Sequence, residues 1–233
     1  MELNKKKYRH ELKYYINNLQ FEEIKKRLSF LLSTDKNTME DGRYFIRSLY
    51  LDDYQDTSYY QVLNGISKRE KYRIRYYNYD FNYIRLEKKA KINNITNKTS
   101  CIVTKEQVED LLDGKLNISK ENHKLLNEFI LKTKFYGYKP AVIIDYDRIP
   151  YIYKAGNVRI TLDYNISMDY NTNNFFNKEN QKIPILEKNM RILEVKYNEI
   201  LPNYIAWLIN INTLEQTAYS KYLNGRIMEK QIK

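Results

Sequence analysis

The sequence predicts an α+β fold of one domain, residues 1–233, with an antiparallel sheet covered by helices. Three observations point there. At least five stretches alternate an ionised face with an apolar face at a period of two, the pattern of half-buried strands. Two helical stretches with their own caps follow one another between strands. No internal repeat or shift of composition divides the chain.

Residues 84–91 set the pattern: Arg85, Glu87, Lys89 and Lys91 share one face, and Ile84, Leu86, Lys88 and Ala90 share the other. Taken in order, 8–16 reads as a strand with Arg9, Glu11, Lys13 and Tyr15 on its polar side. Residues 21–32 place Phe21, Ile24, Leu28, Leu31 and Leu32 at helical spacing. The polar run 34–42 reads as a loop, 44–51 as a strand ended by Asp52 and Asp53, and 57–63 as a short helix stopped by Gly65. In 71–77, Arg73 and Arg75 point one way and Tyr72, Ile74 and Tyr76 the other. With 79–83 as a turn, this strand and 84–91 form a hairpin whose charged faces coincide.

The run 93–100 reads as a polar excursion. Thr104 and Gln107 make a capping box for a helix over 105–113, which Gly114 stops. Ser119 caps the next helix, to about 134, with Leu125, Leu126, Phe129 and Ile130 buried. Residues 141–148 read as a strand that Pro150 ends or bulges. Residues 151–154 and 158–164 straddle Gly156 as a hairpin, with Arg159, Thr161 and Asp163 opposing Val158, Ile160 and Leu162. The Asn-rich run 167–180 reads as a flexible loop. The strand 191–197 sets Glu194 and Lys196 against Leu193, Val195 and Tyr197. Pro202 opens a helix over 203–210, and a last helix over 213–231 carries Tyr219, Tyr222 and Leu223.

Charge and cysteine content narrow the function. The net charge is +11, which predicts an anionic partner: nucleic acid, a phosphorylated small molecule or an acidic membrane surface. An AT-rich genome raises lysine by itself, whereas clustered arginines need another cause. Cys101 is the only cysteine, so no intramolecular disulfide forms, and it reads as buried and incidental. No apolar run reaches the ~18 residues that suit a membrane span. Residues 1–7 are charged and lead into no apolar core, so they do not read as a secretion signal, and the expected location is cytoplasmic. His10 and His123 read as structural.

Strands with one ionised and one apolar face fit three arrangements. The charged side can be a solvated face, a flat nucleic-acid platform, or the lining of a barrel closed with its apolar side under helices. Two details favour the lining. Most charged faces mix cations with a carboxylate, which limits like-charge repulsion in an enclosed space. Arginine also sits at strand centres, at Arg73, Arg75 and Arg159, and its planar fork suits phosphate.

Eight short segments then occur in a telling order: Arg9-His10-Glu11-Leu12-Lys13-Tyr14, Ser48-Leu49-Tyr50-Leu51-Asp52, Tyr72-Arg73-Ile74-Arg75-Tyr76, Glu87-Lys88-Lys89, Tyr146-Asp147-Arg148, Val158-Arg159-Ile160-Thr161-Leu162-Asp163, Leu193-Glu194-Val195-Lys196 and Ser220-Lys221-Tyr222. Over roughly residues 5–225 the chain resembles the VTC domain, the polyphosphate polymerase domain of the vacuolar transporter chaperone family. That family stands among the triphosphate tunnel metalloenzymes, with the CYTH-type cyclases and thiamine triphosphatases.

The resemblance implies a closed antiparallel β-barrel, the triphosphate tunnel, with helices packed outside. It implies that phosphates are bound by Arg9 and Lys13, by Arg73 and Arg75, and by Lys89, Lys91 and Lys98. Arg148, Arg159, Lys196, Ser220 and Lys221 complete that set. Lys13, Arg73, Arg75, Lys89, Arg159 and Lys221 are the ones it marks as catalytic. Glu194 matches the metal-binding glutamate, for Mn²⁺ or Mg²⁺. The implied activity is metal-dependent transfer of the terminal phosphate of ATP to a growing polyphosphate chain. The implied partners are ATP and polyphosphate or triphosphate, with no nucleic acid and with any membrane-protein partner outside this chain.

Two alternatives stay open: a triphosphatase of the same fold, and a non-catalytic module binding polyphosphate or RNA. The hydrolytic and cyclase relatives open with Glu-x-Glu-x-Lys, and Arg9 stands at the first of those positions here, which argues for the polymerase branch. Fungal members carry His where this chain has Lys91; the cation survives and a group titrating near neutral pH does not. Without the resemblance, Glu194 reads as an ordinary ion-pair partner, Lys98 as a solvated loop lysine and the Tyr-rich faces as core.

Overall fold

The alternation of ionised and apolar residues becomes strand pairing in a mixed α/β structure with a large antiparallel sheet. The computed structural model describes residues 10–35, 37–92 and 95–232. In chain order the elements are β1 (His10–Asn17), α1 (Asn18–Leu31), β2 (Ser33–Thr34), β3 (Tyr44–Asp52), α2 (Thr57–Leu63), β4 (Arg69–Tyr77), β5 (Ile84–Ile92), β6 (Ile95–Val103), α3 (Lys105–Leu112), α4 (Lys124–Tyr136), β7 (Lys139–Tyr153), β8 (Val158–Asp169), β9 (Ile183–Pro184), β10 (Met190–Tyr197), α5 (Asn203–Leu208), β11 (Glu215–Gln216) and α6 (Lys221–Ile232). No helix among the described residues is long and apolar enough to cross a membrane.

The hydrogen-bonded path runs β11-β1-β10-β8-β7-β3-β4-β5-β6, with β2 added to β7 and β9 to β8. This corrects the closed barrel expected from the resemblance. No ladder joins β11 to β6 among the described residues, so the sheet is not closed into a barrel. The end strands explain why: β11 offers only two residues, and residues 96–99 of β6 lie exposed.

The chain divides into two compact units. The first holds the described residues up to Tyr44, Tyr146–Ile166 and Leu186–Tyr219. Its core joins Tyr14 and Ile16 of β1, Ile160 and Leu162 of β8 and Leu193 and Val195 of β10 to Phe21, Ile24 and Leu28 of α1. Burying this stripe is what keeps α1 helical. Asn17 starts it: its side chain accepts from Gln20 N at 2.9 Å while the Gln20 side chain accepts from Asn17 N at 2.9 Å, a reciprocal cap worth about 1 kcal/mol.

The second unit holds Phe45–Asp145, Ser167–Ile185 and Ser220–Lys233, the last residue lying outside those described. Tyr72, Ile74 and Tyr76 of β4 and Ile84 and Leu86 of β5 form its apolar layer, packed with Val108 and Leu111 of α3 and Leu125, Leu126, Phe129 and Ile130 of α4. The same parity that buries these residues turns Arg73, Arg75, Glu87 and Lys89 to the other side of the sheet.

Several local expectations are corrected. Of the expected excursion 93–100, residues 95–100 do not loop away: β6 pairs with β5 from Ile92↔Ile95 to Ile84↔Val103, and residues 93 and 94 lie outside those described. Backbone bonds to β5 replace the missing apolar alternation. Pro150 neither ends nor breaks β7, whose short neighbour β2 opposes Tyr151 and Ile152 while Asp35 N donates to the Pro150 carbonyl. The stretch 167–180 is not a free loop: β8 runs through Ser167 to Asp169, and Phe175 is buried. His123 rather than Ser119 caps α4, its Nδ1 accepting from Leu125 N at 3.1 Å. The final helix starts at Lys221, because residues 211–219 carry a short turn, β11 and an extended run. Leu31, expected in the core, is exposed, while Leu32 is buried.

Candidate active site

In the second unit the charged residues fall into registered rows across β4, β5 and β6. Arg75 lies opposite Arg85, and Arg73 opposite Glu87, which faces Ser100. Lys71 lies opposite Lys89, which faces Lys98, and Arg69 lies opposite Lys91, which faces Thr96. Glu87 is the one carboxylate among the described residues of that face. Like charges set directly opposite one another destabilise a sheet. Three lysines thus stand abreast, with Lys98 paired to Glu87 and Lys71 lying over the Tyr222 ring.

Glu87 is 1 % exposed and serves three cations at once. Arg73 Nε donates to its Oε2 at 2.7 Å, Arg75 Nη2 to its Oε1 at 2.6 Å, and Lys98 Nζ lies 2.7 Å from Oε1. Burial raises the Glu87 carboxyl, but Arg73, Arg75 and Lys98 outweigh it and hold the group well below the usual carboxylate range. Burial also lowers the Lys98 ammonium; Arg75 and Arg73 add to that, Glu87 opposes them, and its pKa falls to about 8. One negative charge among so many cations leaves the face strongly electropositive.

Aromatic rings hold these arginines in place. Arg73 Nη1 donates to the Tyr50 hydroxyl at 3.2 Å, and Arg75 stacks 4.9 Å from the Tyr77 ring. Ser220 and Lys221 belong to the same unit: Ser220 stands just before α6, its Oγ accepting from Leu223 N at 3.4 Å, and Lys221 is the first residue of the helix. A capped helix start with a lysine in its first turn is electropositive from backbone and side chain together.

The first unit carries the other predicted residues on one face of β1, β10 and β8. Glu11 lies opposite Lys196, which faces Arg159; Lys13 lies opposite Glu194, which faces Thr161. Glu194 is 6 % exposed and ion-paired with Lys196 Nζ, while Arg148 Nη2 lies 3.8 Å from its Oε2. Lys196 also lies 3.8 Å from Glu11, and Lys13 lies 3.2 Å from Glu11. Lys13 Nζ donates to the Tyr219 carbonyl at 3.1 Å. Arg159 Nη2 donates to the Tyr44 hydroxyl at 2.5 Å and pairs with Asp35 at 3.4 Å.

Arg148 turns to this charged face but is already engaged. Its Nε and Nη2 donate to the two oxygens of Asp163 at 2.6 and 2.7 Å, a bidentate pair. Burial opposes its charge, but Asp163 and Tyr146 prevail and raise its pKa. Arg9 lies outside the described residues.

The residues around Glu194 fit a hard divalent cation. Thr161 Oγ1, on the residue opposite Glu194, is buried with no hydrogen-bond partner among the described residues, and Glu11 adds a second carboxylate through the shared Lys196. Oxygen donors few in number suit Mg²⁺ or Mn²⁺, which fill their shells with water and phosphate. Among the described residues no group of three or more His, Cys, Asp and Glu forms a complete cage.

Sequence reasoning left Lys71 and Arg69 unnamed and set Arg85 on the charged face without a role, although register puts all three beside Arg73 and Arg75. It also passed over Glu87 as the hub and Thr161 as the neighbour of Glu194. Alternation alone identifies the face; only register shows which charges lie abreast.

Comparisons with known proteins bear on the fold and the family. The PH1819 protein of Pyrococcus horikoshii OT3 superimposes with a TM-score of 0.50 at 14% identity, over 96% of this chain and 98% of its own. A candidate adenylate cyclase from Bacillus halodurans gives a TM-score of 0.52 at 12% identity, over 90% of this chain and 92% of its own. These likenesses show that the chain shares the fold of those proteins. No curated protein sequence matches. A family model, the VTC domain, matches residues 8–228. The chain therefore belongs to the VTC domain family, which supports a polyphosphate- or triphosphate-related function of the phosphoryl-transfer kind.

Proposed function

We propose that the protein is a metal-dependent polyphosphate polymerase that transfers the terminal phosphate of ATP to the end of a polyphosphate chain. The observation that supports this best is Glu87 shared by Arg73, Arg75 and Lys98 on a face otherwise lined with cations. Such a face takes up a chain of phosphates and has no use for a neutral ligand.

Phosphoryl transfer asks the protein for positioning and charge neutralisation rather than for a nucleophile. Arg73 and Arg75 present guanidinium forks to phosphate oxygens, and Lys89, Lys91, Lys98 and Lys221 add point charges. Within the first unit, Lys13, Arg159 and Lys196 offer cations suited to phosphate in the same way, and Arg148 stands with them, paired to Asp163. Arg9 keeps its place in the set on the resemblance alone, and the Ser220 hydroxyl, already accepting at the helix start, has its hydrogen left to donate. An oxygen at the chain end attacks the terminal phosphorus of ATP in line; one P–O bond forms, the bridging P–O bond breaks, and ADP leaves. Glu194, with Glu11 and Thr161 beside it, would hold Mn²⁺ or Mg²⁺, which supplies positive charge to phosphate oxygens when bound.

With water as acceptor the same residues would make a triphosphatase, and Glu11, the carboxylate kept from the hydrolytic motif, is the observation that favours it. Incubation with ATP and Mn²⁺ separates the two. A polymerase yields a gel ladder of phosphate chains that grows with time; orthophosphate as the sole product would overturn the polymerase reading.

A further inference from the structure

The segments ending in Asp52 and in Tyr222 contribute no phosphate ligand at their final residue, yet the structure joins these two side chains. The Tyr222 hydroxyl donates to Asp52 Oδ2 at 2.6 Å, and both residues are 1 % exposed. Asp52 cannot follow if Tyr222 moves. Its carboxylate also accepts from the backbone N–H groups of Asp53 at 3.0 Å, Ser58 at 2.9 Å and Tyr59 at 3.0 Å, which tie it to the first turn of α2. Burial and Asp52 both raise the Tyr222 hydroxyl pKa, so it remains a donor.

The Tyr222 ring rests on the cationic side of the sheet. It packs 5.1 Å from Tyr50, whose hydroxyl receives Arg73, and Lys71 Nζ lies 5.4 Å over it. The two residues before Tyr222 are Ser220 and Lys221. A helix start whose third residue is pinned at both ring and hydroxyl has little freedom left for the first two.

We propose that Tyr222 is a positioning residue: its bond to Asp52 fixes the first turn of α6 so that Ser220 and Lys221 meet the phosphate held by Lys71 and Arg73. This rests on the phosphate-binding role proposed above. It adds Lys71 to the residues that touch that phosphate and gives Asp52 and Tyr222 a role exerted through Lys221.

Calorimetric titration with tripolyphosphate tests it as a double-mutant cycle. Tyr222→Phe keeps the ring and removes only the hydroxyl, so it weakens binding about tenfold in the wild-type background, the scale of one hydrogen bond to a charged acceptor. In the Lys221→Ala background the same change has less than a twofold effect, because the positioned group is gone. Asp52→Asn serves as the second variant and follows the same pattern. Equal losses in both backgrounds, or no loss in the wild-type background, would overturn the positioning role while leaving the phosphate site intact. A wild-type protein that fails to bind tripolyphosphate would overturn the functional reading and this inference with it.

Discussion

Arg75 and Glu87 form an ion pair at 2.6 Å with both side chains buried, and on that face of β4, β5 and β6 every other ionised residue described is a cation. Removing the carboxylate should therefore matter more for stability than for binding. Glu87→Gln leaves two arginines and Lys98 without a countercharge and should cost about 3–5 kcal/mol. Tripolyphosphate should return much of the lost melting temperature. Because the Glu87 carboxyl is held below its unfolded value, its contribution is complete above the ordinary glutamate range and fades as the pH falls below it. The gap between wild-type and variant melting temperatures should accordingly be flat above about pH 5 and close in acid.

Lys98 should supply the pH response of phosphate binding. Its pKa of about 8 means that it sheds its proton as the pH rises through that value, earlier than an ordinary lysine. Tripolyphosphate affinity in the wild type should drop between pH 7 and pH 9 relative to Lys98→Arg, whose charge persists. Parallel pH profiles for the two proteins would contradict the assignment.

The strands were legible where one face was greasy. Residues 84–91 and 191–197 carry Leu, Ile and Val on alternate positions, and both form as expected. The strand β6 was not, because Thr96, Lys98 and Ser100 alternate with other polar residues and no apolar face marks it. The Asn-rich run hid Phe175, one buried aromatic among many amides, together with its anchor. Arg47, fully buried, pairs with both oxygens of Asp145 at 2.8 Å and donates to the carbonyls of Asn174, Phe175 and Asn177. The signal was present: Arg47 shares strand parity with Leu49 and Leu51, where an unpaired charge could not stay. For the site, parity picked out Arg73 and Arg75, and Glu194 gained its metal role from the family resemblance; the closed barrel, favoured by mixed charges and central arginines and then by the resemblance, is not borne out by the pairing of the end strands.

Gly225 reports on how closely α6 must pack. A Cβ built there would lie 2.4 Å from Ile144 Cδ1, in the core of the second unit. Gly225→Ala should destabilise the protein by about 1–3 kcal/mol through overpacking. Adding Ile144→Val, which removes the offending methyl, should recover part of the loss. A neutral Gly225→Ala by thermal unfolding would show that α6 is free to shift.

Glu194 separates metal from phosphate. With Lys196 and Arg148 as its neighbours, Glu194→Ala should remove activity and its Mn²⁺ dependence together while tripolyphosphate affinity changes by no more than a few-fold, since the lysines and arginines remain. Arg75→Ala and Lys89→Ala should instead lose both binding and turnover with the fold retained by circular dichroism.

The most direct measurement is a crystal structure with a non-hydrolysable triphosphate and Mn²⁺. The account predicts phosphate oxygens within hydrogen-bond distance of Arg73, Arg75 and Lys89, and the metal on Glu194. Phosphates bound elsewhere, with the Glu87 cluster unchanged and untouched, would contradict it.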